Sequence, residues 1–232
     1  MLIYSMSVSV DGFIADRDGE FGWGVPSDEQ FRFHLEQVRE LGSCLLGRRL
    51  YETMLAWETD PSLQDNEDTT AFADAWCALP KVVFSRTLDS VQGNARLAKA
   101  SVAEEAAALD ATDKNVSIGG AGLAAAAFEL GLVDELRTFR YPVVLGGGTP
   151  FLPPVTEDIP LDLIDTRTFG SRVIYARYRR ARDDSDNTAV RLGSSCGSWA
   201  KCLGTPRGRS IRSGLSRAWV CPASHQLEKG QR

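Results

Sequence analysis

Hydrophobic and polar positions along the chain alternate in ways that predict a strand-and-helix order. Leu2-Ile3-Tyr4-Ser5-Met6-Ser7-Val8-Ser9-Val10 alternates with period two and stops at Asp11-Gly12, which predicts a strand emptying into a loop that runs to about Pro26. Ser27 followed by Gln30 has the form of a capping box, and Phe31, Leu35, Val38 and Leu41 recur at helical spacing. A helix over about 28–41, stopped by Gly42, follows. Cys44 to Gly47 reads as a short strand running into a helix from Arg48 to Met54.

The same grammar returns further on. Lys81 to Ser85 predicts a strand, Val102 to Leu109 an alanine-rich helix, Val116 to Ile118 a buried strand, and Gly120 to Leu130 a second alanine-rich helix. Strands that alternate with helices imply a largely parallel central sheet. Beyond Val133 the runs Glu135 to Val144, Leu161 to Phe169 and Arg172 to Tyr178 alternate, with Gly170-Ser171 as a hairpin signal, so an antiparallel segment is expected to close the sheet. The fold class is therefore α/β, with a mixed, mostly parallel sheet and a C-terminal antiparallel hairpin.

Composition changes the picture mainly after residue 182. There the chain turns to Ser, Gly and Arg without periodicity, which predicts one domain over 1–182 and a disordered tail over 183–232. The tail holds 8 Lys+Arg and 4 Asp+Glu of the chain's 26 and 31, leaving 18 against 27, a net −9, in the first 182 residues. An acidic body is a poor general binder of nucleic acid. No stretch approaches the roughly 18 apolar residues of a membrane span. Met1 leads straight into a strand with no signal-peptide pattern, so a cytoplasmic location is expected. Cys44 and Cys77 lie in apolar surroundings and read as reduced core thiols. Cys196, Cys202, Cys221 and His225 have zinc-ligand chemistry, but their spacing is too wide for the usual site, and no metal is expected.

Three strand ends carry candidate chemistry. In Gly47-Arg48-Arg49 a glycine lets amides at a helix start face an anion beside a guanidinium, although a tight turn with solvated arginines has the same sequence. Ser85-Arg86-Thr87 pairs a hydroxyl with a guanidinium, as a ribose 2′-phosphate site or an ordinary polar loop would. In Gly119-Gly120-Ala121-Gly122-Leu123 the glycines permit close backbone approach to a pyrophosphate at a helix N-terminus. Together they suggest a phosphate-rich ligand lying across the carboxyl edge of the sheet. Asp28, three residues before Phe31, is expected on the inward face of its helix, as a proton donor or substrate anchor; complementing the helix dipole is the other reading. His34 reads as structural or solvated.

Ser9-Val10-Asp11-Gly12-Phe13-Ile14-Ala15, Leu46-Gly47-Arg48-Arg49-Leu50-Tyr51-Glu52, Ile118-Gly119-Gly120-Ala121-Gly122 and Val143-Val144-Leu145-Gly146-Gly147-Gly148-Thr149-Pro150-Phe151 resemble the reductase (C-terminal) domain family of the riboflavin-biosynthesis deaminase-reductase, over about residues 1–180. The resemblance implies a three-layer α/β/α dihydrofolate-reductase-like fold, NADPH as cofactor, a pyrimidine- or pteridine-like substrate and a homodimer. It implies cofactor contacts at Gly47, Arg48, Arg49, Ser85, Arg86, Gly119, Gly120, Ala121, Gly122 and Leu123, and a substrate or nicotinamide border at Asp11 and Gly12. Trp23-Gly24-Val25-Pro26-Ser27-Asp28 looks like the segment carrying the active-site acid of dihydrofolate reductase, which adds Trp23 to the substrate side and makes Asp28 the catalytic candidate. The deaminase motif is missing, so only a reduction step is implied. The rival readings are a true dihydrofolate reductase and a nucleotide-binding protein without catalysis.

Overall fold

A computed structural model describes residues 1–110 and 114–181. Leu2–Val8 forms β1, in the interior of an eight-stranded sheet. One phase of its alternation, Leu2, Tyr4 and Val8, is buried in a large apolar cluster. The chain then forms a short β2 (Phe13–Ala15), a 3-10 turn (Gly22–Gly24) and α1 (Asp28–Arg39). Ser27 caps α1 by accepting from the Gln30 amide at 3.4 Å. The helix stops at Arg39 and β3 (Leu41–Gly47) begins almost at once, so Gly42 belongs to a strand. A Cβ there would crowd the Lys114 side chain at 2.5 Å, so Gly42 permits a close approach and is not the helix stop.

The chain continues through α2 (Arg48–Met54), α3 (Ala56–Thr59), α4 (Glu67–Ala78), β4 (Lys81–Phe84), β5 (Ala95–Leu97), α5 (Val102–Asp110), β6 (Asn115–Gly119) and α6 (Ala121–Glu129). β7 (Glu135–Arg140), β8 (Thr149–Pro150), β9 (Leu161–Thr168) and β10 (Ile174–Arg180) complete it. Sheet order is β5-β4-β3-β6-β1-β7-β10-β9, and β2 pairs with β8 apart from it. β7 runs parallel to β1, so the antiparallel part starts only at β10, which pairs with both β7 and β9. At the β9–β10 hairpin the left-handed residue is Arg172 (φ 64°), one beyond the expected Gly170-Ser171 pair.

α5 and α6 pack on the Tyr4 face of the sheet, while α1, α2 and α4 pack on the other through Leu35, Tyr51, Phe72 and Trp76. The result is a three-layer α/β/α arrangement. Helix α4 went unpredicted: its capping box is the Asn66–Thr69 pair, in which the Asn66 side chain accepts from the Thr69 amide at 3.0 Å. Cys77 lies on α4 and is exposed, which corrects its reading as a core thiol; Cys44 is buried, and burial pushes its thiol up to about 12. Lys81, at the start of β4, is buried against Glu58 at 3.1 Å and the carbonyls of Trp76 and Leu79. No helix among the described residues is long and apolar enough to cross a membrane. The expected tail, with Cys196, Cys202, Cys221 and His225, lies outside the described residues.

Candidate functional site

Three strand tips meet at the carboxyl edge of the sheet. Register places Leu46 of β3 beside Gly119 of β6 and Gly47 beside Phe84 of β4. Gly120 has φ +99°, open to glycine, and a Cβ on it would sit 3.4 Å from the Gly47 Cα. A Cβ on Gly47 would in turn lie 3.6 Å from the Gly119 carbonyl. The two backbones therefore touch with no side chain between them. Gly120 is the N-cap of α6 and Gly47 that of α2, and neither supplies a side-chain cap to the first-turn amides. Such amides are suited to an anion. The Cβ position of Gly122 meets nothing within 4 Å, whereas Gly119 has no room for a Cβ against Leu50. Leu123 packs its side chain into the core, so its contribution to this edge is main-chain.

Arg48 bridges the tips. Its Nε donates to Glu52 at 2.8 Å and its Nη1 to the Thr87 hydroxyl at 2.5 Å, which ties the start of α2 to the loop after β4. Ser85 shapes that loop by accepting from the amides of Thr87 and Leu88. Arg49 and Arg86 are exposed and form no ion pair among the described residues. Arg48, Ser85 and Gly120 thus share one edge.

Next to this edge, and sharing Leu46 and Gly119 with it, a cavity of about 340 Å³ opens between α1 and the sheet. Its floor includes Ser5 and Ser7 of β1 and Ser117 of β6. Small hydroxyl side chains in the middle of a sheet leave the volume that larger residues would fill. Phe31, His34 and Val38 of α1 form one wall, and Trp57, Phe72 and Trp76 an aromatic end. Among the described residues no Asp or Glu lines the cavity, and the one charged lining residue is Arg137 of β7.

The polar side chains around it are connected. Burial pushes His34 down to about 4, so its ring is neutral; it sits 4.2 Å from Phe139, and its Nε2 is 3.4 Å from the Gln30 amide nitrogen. Gln30 is fully buried and donates to the Tyr141 hydroxyl at 2.6 Å, leaving its own carbonyl oxygen without a partner. Burial raises Tyr141. Burial would raise Glu135, but the charge of the Arg177 guanidinium beside it and the hydrogen bond from Arg137 hold it below the usual carboxylate range.

Asp28 requires correction. It is exposed at the first position of α1 and lines a second cleft with Asp65, Asn66 and Asp68, not the cavity. Phe31, His34 and Val38 of α1 face the cavity, and at about 100° per residue Asp28 stands roughly 90° of helix rotation from their centre. The two clefts do share Pro26, Phe31 and Trp57. Asp11 has an intramolecular partner: its carboxylate accepts from the Leu145 and Gly146 amides at 3.1 and 2.7 Å. Ser9 and those amides hold its carboxyl down at about 2. The neighbouring Gly12 takes φ +90° and allows the turn. Trp23 is half-buried edge-on to Tyr141 at 5.7 Å, with its indole N–H lacking a partner. Ser5, Ser7, Ser117, Gln37, Arg137 and Tyr141 escaped the sequence reading, and His34 was read as structural or solvated. The available signal was the serine phase of β1, a polar stripe on a strand flanked by helices.

The model of the RibD C-terminal domain matches residues 1–175. The chain belongs to that family. Among curated proteins, the uncharacterized protein YyaP of Bacillus subtilis (strain 168) is 32% identical over 183 residues, covering 76% of this chain and 93% of YyaP. A protein of known structure from Shewanella sp. PV-4, ascribed to riboflavin biosynthesis, superposes with TM-score 0.63 at 23% identity, over 78% of this chain and 99% of that one. The dihydrofolate reductase of Enterococcus faecalis, solved with NADP(H), superposes with TM-score 0.52 at 17% identity, over 78% of this chain and 97% of that one. At these identities the structural likeness establishes the dihydrofolate-reductase-like fold.

Proposed function

We propose that residues 1–182 form an NADPH-dependent reductase acting on a planar pyrimidine- or pteridine-like ring. The observation that carries this reading is the backbone contact between Gly47 and Gly120, flanked by Arg48 and opening onto the cavity through Gly119. The residues fit the cofactor: a glycine cradle that Cβ atoms would fill, helix-start amides without side-chain caps, and a guanidinium with hydroxyls for a 2′-phosphate. Gly47, Gly120, Ala121 and Gly122 would hold the pyrophosphate, and Arg48, Ser85 and Thr87 the 2′-phosphate. When bound, NADPH supplies a hydride. The protein's own part is placement: the aromatic end stacks a flat ring, the serine floor and His34 orient it, and the apolar walls exclude water. Ser7 and neutral His34 are the cavity groups that would pass a proton to a ring atom.

The test is paired titration with NADPH and NADH. Arg48→Ala should weaken NADPH by roughly tenfold or more and NADH by less than about threefold, the loss of one charge-assisted contact. Equal weakening of both would move Arg48 to the pyrophosphate. Absence of NADPH binding by the unaltered protein would favour the non-catalytic reading. A true dihydrofolate reductase is disfavoured by the carboxylate-free cavity lining. The reading also includes a cytoplasmic homodimer. The eight-residue edge strand β9, exposed throughout and carrying Leu161, Leu163 and Ile164, supports self-association, which sedimentation would measure.

A further inference from the structure

The Arg137 end of the cavity is built unlike its aromatic end. Arg137, 3% exposed, lies on the cavity face of β7, opposite Ser5 of β1 in register and next to Arg177 of β10. Its Nε donates to Glu135 at 2.8 Å and its Nη1 reaches Glu40 at 3.4 Å, while Nη2 has no partner among the described residues. Glu135 is shared: Arg177 Nε stands 2.8 Å away and Arg179 Nη2 3.7 Å. Three guanidinium groups therefore gather around Glu135, with Glu40 beside Arg137 and Asp165 in register with Arg177, and Arg137 is the member of this network that lines the cavity. Guanidinium donates and never accepts. With no carboxylate in the lining, an edge of amino groups finds no charged acceptor there, whereas a carbonyl edge meets a fixed cation.

We propose that Arg137 is a specificity-determining residue that anchors the carbonyl edge of a planar heterocycle in the cavity, selecting oxo-substituted over amino-substituted rings. This rests on the reading of the cavity as the substrate site and goes further by assigning the group that chooses the ring's substituents. Any negative charge that grows on a ring carbonyl oxygen during reduction would face the same cation.

The test compares two probes with one ring system, pteridine-2,4-dione and 2,4-diaminopteridine, by isothermal titration of the full chain. The dione should bind at least tenfold tighter. Arg137→Met should erase that preference by weakening the dione. Arg177→Met, which also removes a partner of Glu135 but alters no cavity-lining residue, should keep it. Arg137→Lys retains a cation beside Glu135 and guards against a folding failure in the methionine variant; it should reduce the preference because the fork is lost. Equal binding of the two probes, tighter binding of the diamine, or an unchanged preference in Arg137→Lys would overturn the assignment. NADPH titrated separately should bind all variants within about twofold of the unaltered chain. Loss of NADPH binding with the dione preference intact would sink the reductase reading alone, and the reverse result would sink the role of Arg137 alone.

Discussion

The two faces of β1 make opposite uses of the same alternation. Toward α6, Tyr4 is fully buried, stacked on Phe151 at 4.8 Å with its hydroxyl donating to the Phe151 carbonyl, and nothing is left open around it. Toward α1, Ser5 and Ser7 stand at the positions where a packed sheet would carry large side chains, and the space above them is the cavity. A polar phase on a strand usually marks a solvent face. Here, on a sheet covered by helices on both sides, it marks the floor of a cavity.

The comparison breaks most sharply at Tyr4. Tyr4→Ala should cost about 3–5 kcal/mol in denaturant unfolding, since a large ring leaves a void in a tight core; a loss under about 1 kcal/mol would mean that this face is as loose as the other. The next effect is on His34. Its folded value near 4 lies below the ordinary 6.5, so the unfolded chain binds its proton first as pH falls. Stability attributable to His34 is thus complete above about 6.5 and declines toward pH 4, with a slope of at most about 1.4 kcal/mol per pH unit. His34→Phe should flatten that part of the stability-pH curve, and an unchanged curve would show the ring to be open to water. Ser5→Leu should change stability by less than about 1 kcal/mol, because the added methylenes enter existing space, yet it should abolish binding of the pteridine-dione probe. A large loss of stability would mean that the cavity cannot accept them. Smallest of all, Asp28→Asn should alter stability by about 0.5 kcal/mol through the helix dipole and turnover by less than tenfold. A fall of 100-fold would return Asp28 to the reaction.

How much the sequence disclosed follows from the range of the forces involved. β1, the Ser27 cap, α5, α6 and the C-terminal hairpin rest on local periodicity and capping, and each lies within a few residues of its predicted place. Helix α4 was hidden because its box uses Asn66 and Thr69, and its buried positions Phe72, Ala73 and Trp76 form a narrow stripe. The glycine cradle was legible, since glycines at strand ends announce close backbone approach. The cavity was not. Arg137 is 132 residues from its register partner Ser5, and the direction in which Asp28 points depends on where α4 lies. Only the assembled layers decide such matters. Asp11 shows the same limit, because its task is to hold a loop more than 130 residues away.

The meeting of Gly47 and Gly120 has a consequence for how such a protein diversifies. Gly120 holds a positive φ that side-chain-bearing residues rarely adopt, and any side chain at either glycine would occupy the cradle itself, so this half of the molecule is confined to a narrow set of sequences. The neighbouring hollow is drawn by side chains alone, so single codon changes can remodel it while the cradle beside it stays as it was. One scaffold can in this way keep a constant source of reducing power and trade one target ring for another.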